Sequence, residues 1–164
     1  IVVNQKMDAK ESLPNLIKFG MTMGVSSTYK TTTFYGKGPW ENYIDRKRGT
    51  VVDEFTFKTG DLINNYILPQ ENGNRSDTRW LKLSNKKNHL MISGAPTFGF
   101  SIWPYSEKNI QKSKHPFDLE KQGFYTLNIH SIQMSVNGTL SEVVPKYEIP
   151  SGKFELEFIL NAKN

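Results

Sequence analysis

Apolar and polar residues alternate with a period of two over much of this chain. In the segment Lys153 to Phe158, the apolar residues Phe154, Leu156 and Phe158 alternate with charged ones. Successive side chains of a strand point to opposite faces, so these three share one face of a half-buried strand. The aromatic-rich run from Phe98 to Trp103 alternates in the same way. The pattern predicts an all-β chain.

Turn-forming residues at regular intervals separate the remaining predicted strands, which is typical of an antiparallel β-sandwich. Two segments read as helical turns. Asp61 to Tyr66 follows Gly60, and Ser106 to Lys112 begins with a capping serine. The other predicted strands are Ile1 to Met7, Ile17 to Gly24, Tyr29 to Tyr35, Val51 to Phe57, Thr78 to Leu83, His89 to Ser93 and Phe124 to Ile129.

Composition supports one folded domain over residues 1–164. The hydrophobic content is 37%, which is enough for a core, and no Gly/Ser-rich or Pro-rich linker divides the chain. The absence of cysteine excludes disulfides, thiolate catalysis and Cys-based metal sites. No apolar run approaches the roughly 20 residues of a membrane span. Because the chain begins at Ile1 without an initiator Met, we expect it to be part of a longer protein.

The net charge of +5 raises the question of nucleic acid binding. The basic residues are scattered, however, with short clusters only at Arg46-Lys47-Arg48 and Lys86-Lys87. No helix-turn-helix, zinc finger or aromatic RNA-binding motif accompanies them. We therefore predict no nucleic acid partner and no membrane partner.

Two dense loop motifs carry the candidate chemistry. The first loop, YGKGPWENYIDR from Tyr35 to Arg46, and the second loop, PQENGNRSDTRW from Pro69 to Trp80, each combine turn-forming residues, a Glu-Asn pair and an Arg. Either the loops lock together by hydrogen bonds and ion pairs, or part of the set contacts a sugar. The predicted structural network comprises Glu41, Asn42, Asp45, Arg46, Glu71, Asn72, Asp77 and Arg79.

The network hypothesis makes a prediction about two of its arginines. Replacing Arg46 or Arg79 with Ala should unpair a carboxylate. If the pair is buried, the loss of stability is on the order of 3 kcal/mol.

Two further segments complete a set of four ordered motifs. They are ISGAPTFGFSIWPYSEKNI from Ile92 to Ile110 and LNIHSIQMSVNG from Leu127 to Gly138, with His115 between them. Together with the two loops, they resemble the C-terminal domain of the large bacterial β-galactosidases of glycoside hydrolase family 2. That family carries GP-ENY-DR, P-ENG-R, a WPYS-like turn and LN-D--QMG-GG-SW in the same order. The resemblance extends from about Gly20 to Leu160.

The resemblance implies a galactose-mutarotase-like supersandwich, of which this chain is a truncated portion. It implies hydrolysis of terminal β-galactosides by a longer, retaining enzyme whose catalytic glutamates belong to a TIM-barrel domain outside this chain. We therefore expect no catalytic residue and no cofactor here, with Mg²⁺ or Na⁺ ions confined to other domains. The implied partners are the galactoside and the other domains of the same chain. An exposed sheet edge would favour a homo-oligomer, and both cytoplasm and periplasm stay open as compartments.

The family also uses a loop Trp of this domain as a platform for the sugar. Here that position falls on Glu142, and the preceding Gly pair becomes Asn137-Gly138. This departure leaves another β-glycoside open as substrate, with Tyr147 the nearest aromatic substitute. The predicted substrate-binding residues are Glu142, Asn137, Trp40 and His115.

Two other functions stay open. A stand-alone carbohydrate-binding module would present a row of exposed aromatic side chains. An aldose mutarotase would need a His acid and a Glu base within hydrogen-bond reach, for which His115 and Glu71 are available. His130 occupies a position where the family commonly has Asp, and His89 belongs to a predicted strand. Because none of the three histidines has a partner at metal-ligand spacing, we predict no metal site.

Overall fold

A computed structural model of the chain describes residues 1–135 and 144–163. Its regular secondary structure is mostly antiparallel strand, which confirms the predicted all-β class. Two predicted strands, His89 to Ser93 and Phe98 to Trp103, are one continuous strand. The strands are β1 (Val2–Asp8), β2 (Lys18–Ser26), β3 (Thr31–Gly38), β4 (Val51–Lys58), β5 (Arg75–Ser84), β6 (His89–Trp103), β7 (Phe124–Gln133) and β8 (Lys153–Lys163).

The long strand β6 connects the two parts of a sandwich-like sheet. Its first part, His89 to Gly94, pairs with β8, whereas its last part, Gly99 to Trp103, pairs with β7. One path through the sheet therefore has the order β1-β8-β6-β5-β3-β4, and β7 carries β2 on its other side. Both parts contribute to one hydrophobic core because β6 takes part in each.

The core contains the alternating residues that the pattern placed inside. Leu156 and Phe158 of β8 are buried, and Phe154 is half-buried, while the charged residues between them are exposed. Phe34 of β3 meets Phe100 of β6 edge to face, with ring centroids 5.1 Å apart. The same hydrophobic cluster includes side chains from β2, β5 and β7. Burial of this cluster is the main contribution to stability.

One of the two predicted helical turns is correct. Helix α1 (Glu107–Lys112) begins after Ser106, whose side chain accepts a hydrogen bond from the Asn109 amide at 3.0 Å. The helical turn predicted at Asp61 to Tyr66 is wrong. A 3-10 helix covers Thr59–Asp61 instead, and the Asn64 amide donates to the Asn72 side chain at 2.9 Å. The Asn64 amide is therefore paired with a side chain of the second loop, and not with a carbonyl of a local helical turn.

Two other short 3-10 helices lie at Pro116–Asp118 and Pro145–Tyr147. Within the described part of the chain, none of the helices has the length and hydrophobicity of a membrane-spanning segment.

Candidate functional site

The first and second loops are locked together through Asn42, which is buried. The Asn42 amide donates to the Asn74 carbonyl at 2.8 Å, and the Asn74 side chain donates to the Asn42 carbonyl at 2.7 Å. The Asn42 side-chain oxygen accepts from the Ser76 amide at 3.0 Å and from the Ser76 hydroxyl at 2.6 Å. These reciprocal bonds, three of which involve a side chain, hold the two loops together.

Glu41 is the central charge of the interlocked loops, and its side chain is only 9% exposed. One carboxylate oxygen accepts from Arg46 Nη2 at 2.8 Å and from the Tyr66 hydroxyl. The other accepts from the Gly73 amide at 2.7 Å. Gly73 has a φ of 72°, which a glycine adopts at no steric cost. The carboxylate thus connects the first loop, the second loop and the segment between them.

Arg75 is the buried arginine of this region, and the sequence analysis did not include it in the network. It is 5% exposed, and its guanidinium donates to the Gly73 carbonyl at 2.7 Å and the Pro39 carbonyl at 3.1 Å. Burial lowers its pKa from the ordinary value to about 10, against the opposing effect of Glu41. No sequence signal singled it out, because the register of β5 shifts between Arg75 and Thr78 and the period-two pattern does not hold there.

Burial also sets the ionisation of two tyrosines beside Glu41. It raises the pKa of Tyr43 well above its usual range, and the charge of Glu41 adds to this effect. Burial also raises the pKa of Tyr66, and its hydrogen bond to Glu41 acts in the same direction. Both phenols are therefore neutral at neutral pH, so neither competes with Glu41 as a negative charge.

The condition attached to the two arginine predictions is met for Arg46 and not for Arg79. Arg46 pairs with Glu41, whose side chain is only 9% exposed, so the predicted loss for Arg46→Ala stays on the order of 3 kcal/mol. Arg79 donates to the Asp77 carbonyl at 2.5 Å, and its guanidinium lies over the Tyr35 ring. Because Arg79 forms no ion pair with a carboxylate of the described residues, no such loss is expected for Arg79→Ala.

The other predicted network residues lie at the periphery. Glu71 pairs with Lys18 at 2.7 Å, and Asp77 pairs with Lys47 at 3.3 Å. Asn72 donates to the Gln70 carbonyl at 2.9 Å. Asp45 was wrongly included in the network. It is exposed and makes no side-chain hydrogen bond or ion pair with the described residues, because Arg46 pairs with Glu41 instead.

Of the four predicted substrate-binding residues, two lie in the described part of the chain. Trp40 is 72% exposed on the first loop. His115 is also exposed, and its ring stacks on Phe117 with centroids 4.8 Å apart. Asn137 and Glu142 lie outside the described residues, as does most of the loop that the resemblance assigns to the sugar. The structure does describe Tyr147, which is half-buried with the Lys146 ammonium over its ring.

The acid and base that an aldose mutarotase would need have separate partners in this structure. His115 Nδ1 lies 3.6 Å from Asp118, whereas Glu71 pairs with Lys18. Among residues 1–135 and 144–163, no group of three or more His, Cys, Asp or Glu side chains is arranged to hold a metal ion.

His130 of β7 is 2% exposed and gives a pH-dependent prediction. Burial, and then the charge of Lys18, lowers its pKa to about 3. Below its ordinary pKa of about 6.5, the unfolded chain binds a proton that the folded chain does not. The contribution of the neutral His130 side chain to stability is therefore fully present above pH 6.5 and is lost as the pH falls towards 3. At pH 5 the expected loss from this residue is about 2 kcal/mol.

Urea unfolding of the wild type and of His130→Gln, each at pH 7 and at pH 5, measures this effect. The variant should lose about 2 kcal/mol less than the wild type between pH 7 and pH 5. The same pH dependence in both proteins would show that His130 titrates normally.

Comparison with known proteins matches residues 1–160 to the family described as "Beta galactosidase small chain". The chain is 30% identical to a β-galactosidase of Priestia megaterium over 83% of this chain and 13% of that protein. It is 32% identical to the β-galactosidase BgaC of Bifidobacterium adolescentis, over 85% of this chain and 14% of the relative. The chain is 30% identical to a β-galactosidase of Vibrio cholerae, over 99% of this chain and 16% of that protein. The chain thus spans less than a fifth of the length of these relatives.

Proposed function

Because the chain belongs to the β-galactosidase small chain family, we propose that it is a non-catalytic β-sandwich domain of a longer enzyme that hydrolyses terminal β-galactosides. In that enzyme, it forms one wall of the active site and stabilises the assembly. The observation that carries the proposal is the family match over residues 1–160. The chain also spans only 13 to 16% of the length of each of the three named relatives. The catalytic pair, and any Mg²⁺ or Na⁺ ions, would belong to the remaining length.

The state of the loop carboxylates supports a non-catalytic role. Retaining glycosidases need two carboxyl groups about 5 to 5.5 Å apart on either side of the scissile bond. In the interlocked loops, Glu41 already accepts three hydrogen bonds, and Glu71 and Asp77 each hold a lysine. A general acid and a nucleophile must both be available to the substrate, and among the carboxylates of the two loops only Asp45 has no partner in the described residues.

Rigidity of the first loop supports its use as a wall. Trp40 projects from a loop whose neighbouring residues, Glu41 and Asn42, are bonded to the second loop. A large exposed aromatic side chain on such a support suits contact with a sugar ring or with another domain. We assign Trp40 to the active-site wall of the longer enzyme.

Hydrolysis of o-nitrophenyl β-galactoside tests the proposal. We expect no turnover by residues 1–164 alone, turnover by the longer protein, and loss of turnover when these residues are deleted from it. Hydrolysis by the 164-residue chain alone would overturn the non-catalytic role. Unchanged turnover after the deletion would overturn the role in the active site and assembly.

Trp40→Ala tests the wall separately. Loss of one aromatic contact with the sugar is worth about 1 kcal/mol, which is a roughly fivefold rise in KM of the longer enzyme. The thermal midpoint of the chain should stay unchanged, because the side chain is exposed. Phe124→Ala is the matched control, since Phe124 is also an exposed aromatic residue but starts β7. An equal KM for the wild type and Trp40→Ala would remove Trp40 from the wall.

A further inference from the structure

A second candidate site lies away from the interlocked core of the loops. It is a cleft of about 550 Å³ between the beginning of β2, the end of β6 and helix α1, with Glu71 of the second loop at its margin. We refer to it as the Trp103 cleft. Its volume falls within the range of small-molecule sites. It is lined by Asn15, Leu16, Ile17, Lys18, Thr22, Glu71, Trp103, Glu107, Ile110 and Gln111.

The cleft combines apolar side chains with hydrogen-bonding groups of both kinds. Trp103 and Ile110 are buried apolar residues. Trp103 is 1% exposed, and its indole Nε1 has no hydrogen-bond partner among the described residues. Such a donor is rarely left unpaired in a folded protein. The accessible apolar surface of the cleft comes instead from Leu16, which is half-buried, and Ile17, which is 66% exposed.

The charged groups of the cleft indicate which ligands it favours. Lys18 and Glu71 neutralise each other at 2.7 Å, and both are only partly exposed. Glu107 has only a long contact of 3.5 Å with the Thr22 hydroxyl, so its carboxylate can still accept hydrogen bonds. Two carboxylates and one ammonium group leave one net negative charge, which disfavours phosphates and other anions. A neutral molecule with several hydroxyl groups suits these acceptors.

Taken together, the apolar residues and the carboxylates fit a sugar ring. A pyranose has a C–H face that packs on apolar side chains, and hydroxyl groups at its rim that donate to carboxylates and amides. We propose that the Trp103 cleft binds a neutral mono- or disaccharide, with Leu16 and Ile17 against the ring and Glu107 accepting from its hydroxyls. The choice of galactose or lactose as the sugar rests on the proposed function. The argument that the cleft binds a neutral sugar rests only on its lining residues.

Titration of the 164-residue chain with galactose or lactose tests the site, followed through the indole NMR signals of its three tryptophans. We expect the Trp103 signal to shift saturably with a Kd in the millimolar range. Glu107→Gln should weaken this binding about fivefold, because a neutral amide is a weaker acceptor than a carboxylate. Glu107 is exposed, so this variant keeps the fold.

Glu120→Gln is the matched control. Glu120 is also an exposed carboxylate and lies near helix α1, but it does not line the cleft, so its replacement should leave the Kd unchanged. A Trp103 signal that does not move would overturn the proposal, as would a Kd that Glu107→Gln leaves unchanged. Shifts confined to Trp40 or to the amides of residues 135–144 would place the sugar elsewhere and also overturn it. Failure here leaves the proposed function standing, because hydrolysis by the longer protein tests that separately.

Discussion

Replacing Glu41 with Gln should lower the free energy of unfolding by about 3 kcal/mol or more. An amide cannot accept from Arg46, Tyr66 and Gly73 as the carboxylate does. It also removes the negative charge that favours the buried guanidinium of Arg75. Breaking a buried network by removing one partner leaves the other groups desolvated and unpaired, which is why the effect is large.

Urea unfolding of the chain measures the effect, with Glu71→Gln as the matched control. Glu71 has one ion-pair partner, Lys18, and its side chain is 29% exposed, so its replacement should lose about 1 kcal/mol or less. Equal losses in the two variants would show that the interlocked loops have no central charge. A small loss for Glu41→Gln would contradict the network outright.

Replacing Gly20 with Ala should lower the free energy of unfolding by about 3 kcal/mol. Gly20 of β2 pairs with His130 of β7 next to an irregularity in the register. A Cβ at this position would lie 2.6 Å from His130 Cα and would also clash with the Ile129 carbonyl oxygen. Backbone atoms cannot rotate away as a side chain does, so β2 would have to move off β7.

Gly24→Ala is the matched control, because it changes the same residue type in the same strand. Its Cβ would lie 3.4 Å from Phe124, whose side chain is 44% exposed and free to adjust. The expected change is within about 0.5 kcal/mol. Thermal unfolding of both variants distinguishes a close backbone contact at Gly20 from a general intolerance of β2 to alanine.

The interlocked loops show where sequence reasoning succeeded and where it stopped. The predicted network contained both Glu41 and Arg46, and these two residues pair with each other. The predicted network included Arg79 and not Arg75, although only Arg75 of the two is buried. It also included Asp45, which is exposed. Turn chemistry is local, but which charge the core covers depends on strands that are distant in the chain.

The same limit applies to the candidate ligand sites. Trp40, a predicted substrate-binding residue, is exposed, whereas Trp103 is buried. The Trp103 cleft had no signal in the sequence. Its residues come from the segment before β2, from β2, the second loop, the end of β6 and helix α1, several of which are far apart in the chain.

The sequence by itself determined the all-β class, most of the strands, the cap at Ser106 and the family, because period-two alternation, capping chemistry and motif order are properties of neighbouring residues. Only the tertiary structure decided that two predicted strands form one continuous β6, that Glu41 rather than another carboxylate is central, and that Trp103 borders a cleft. These features arise from long-range strand pairing and from burial. Both are set by the free energy of the whole core rather than by any local pattern.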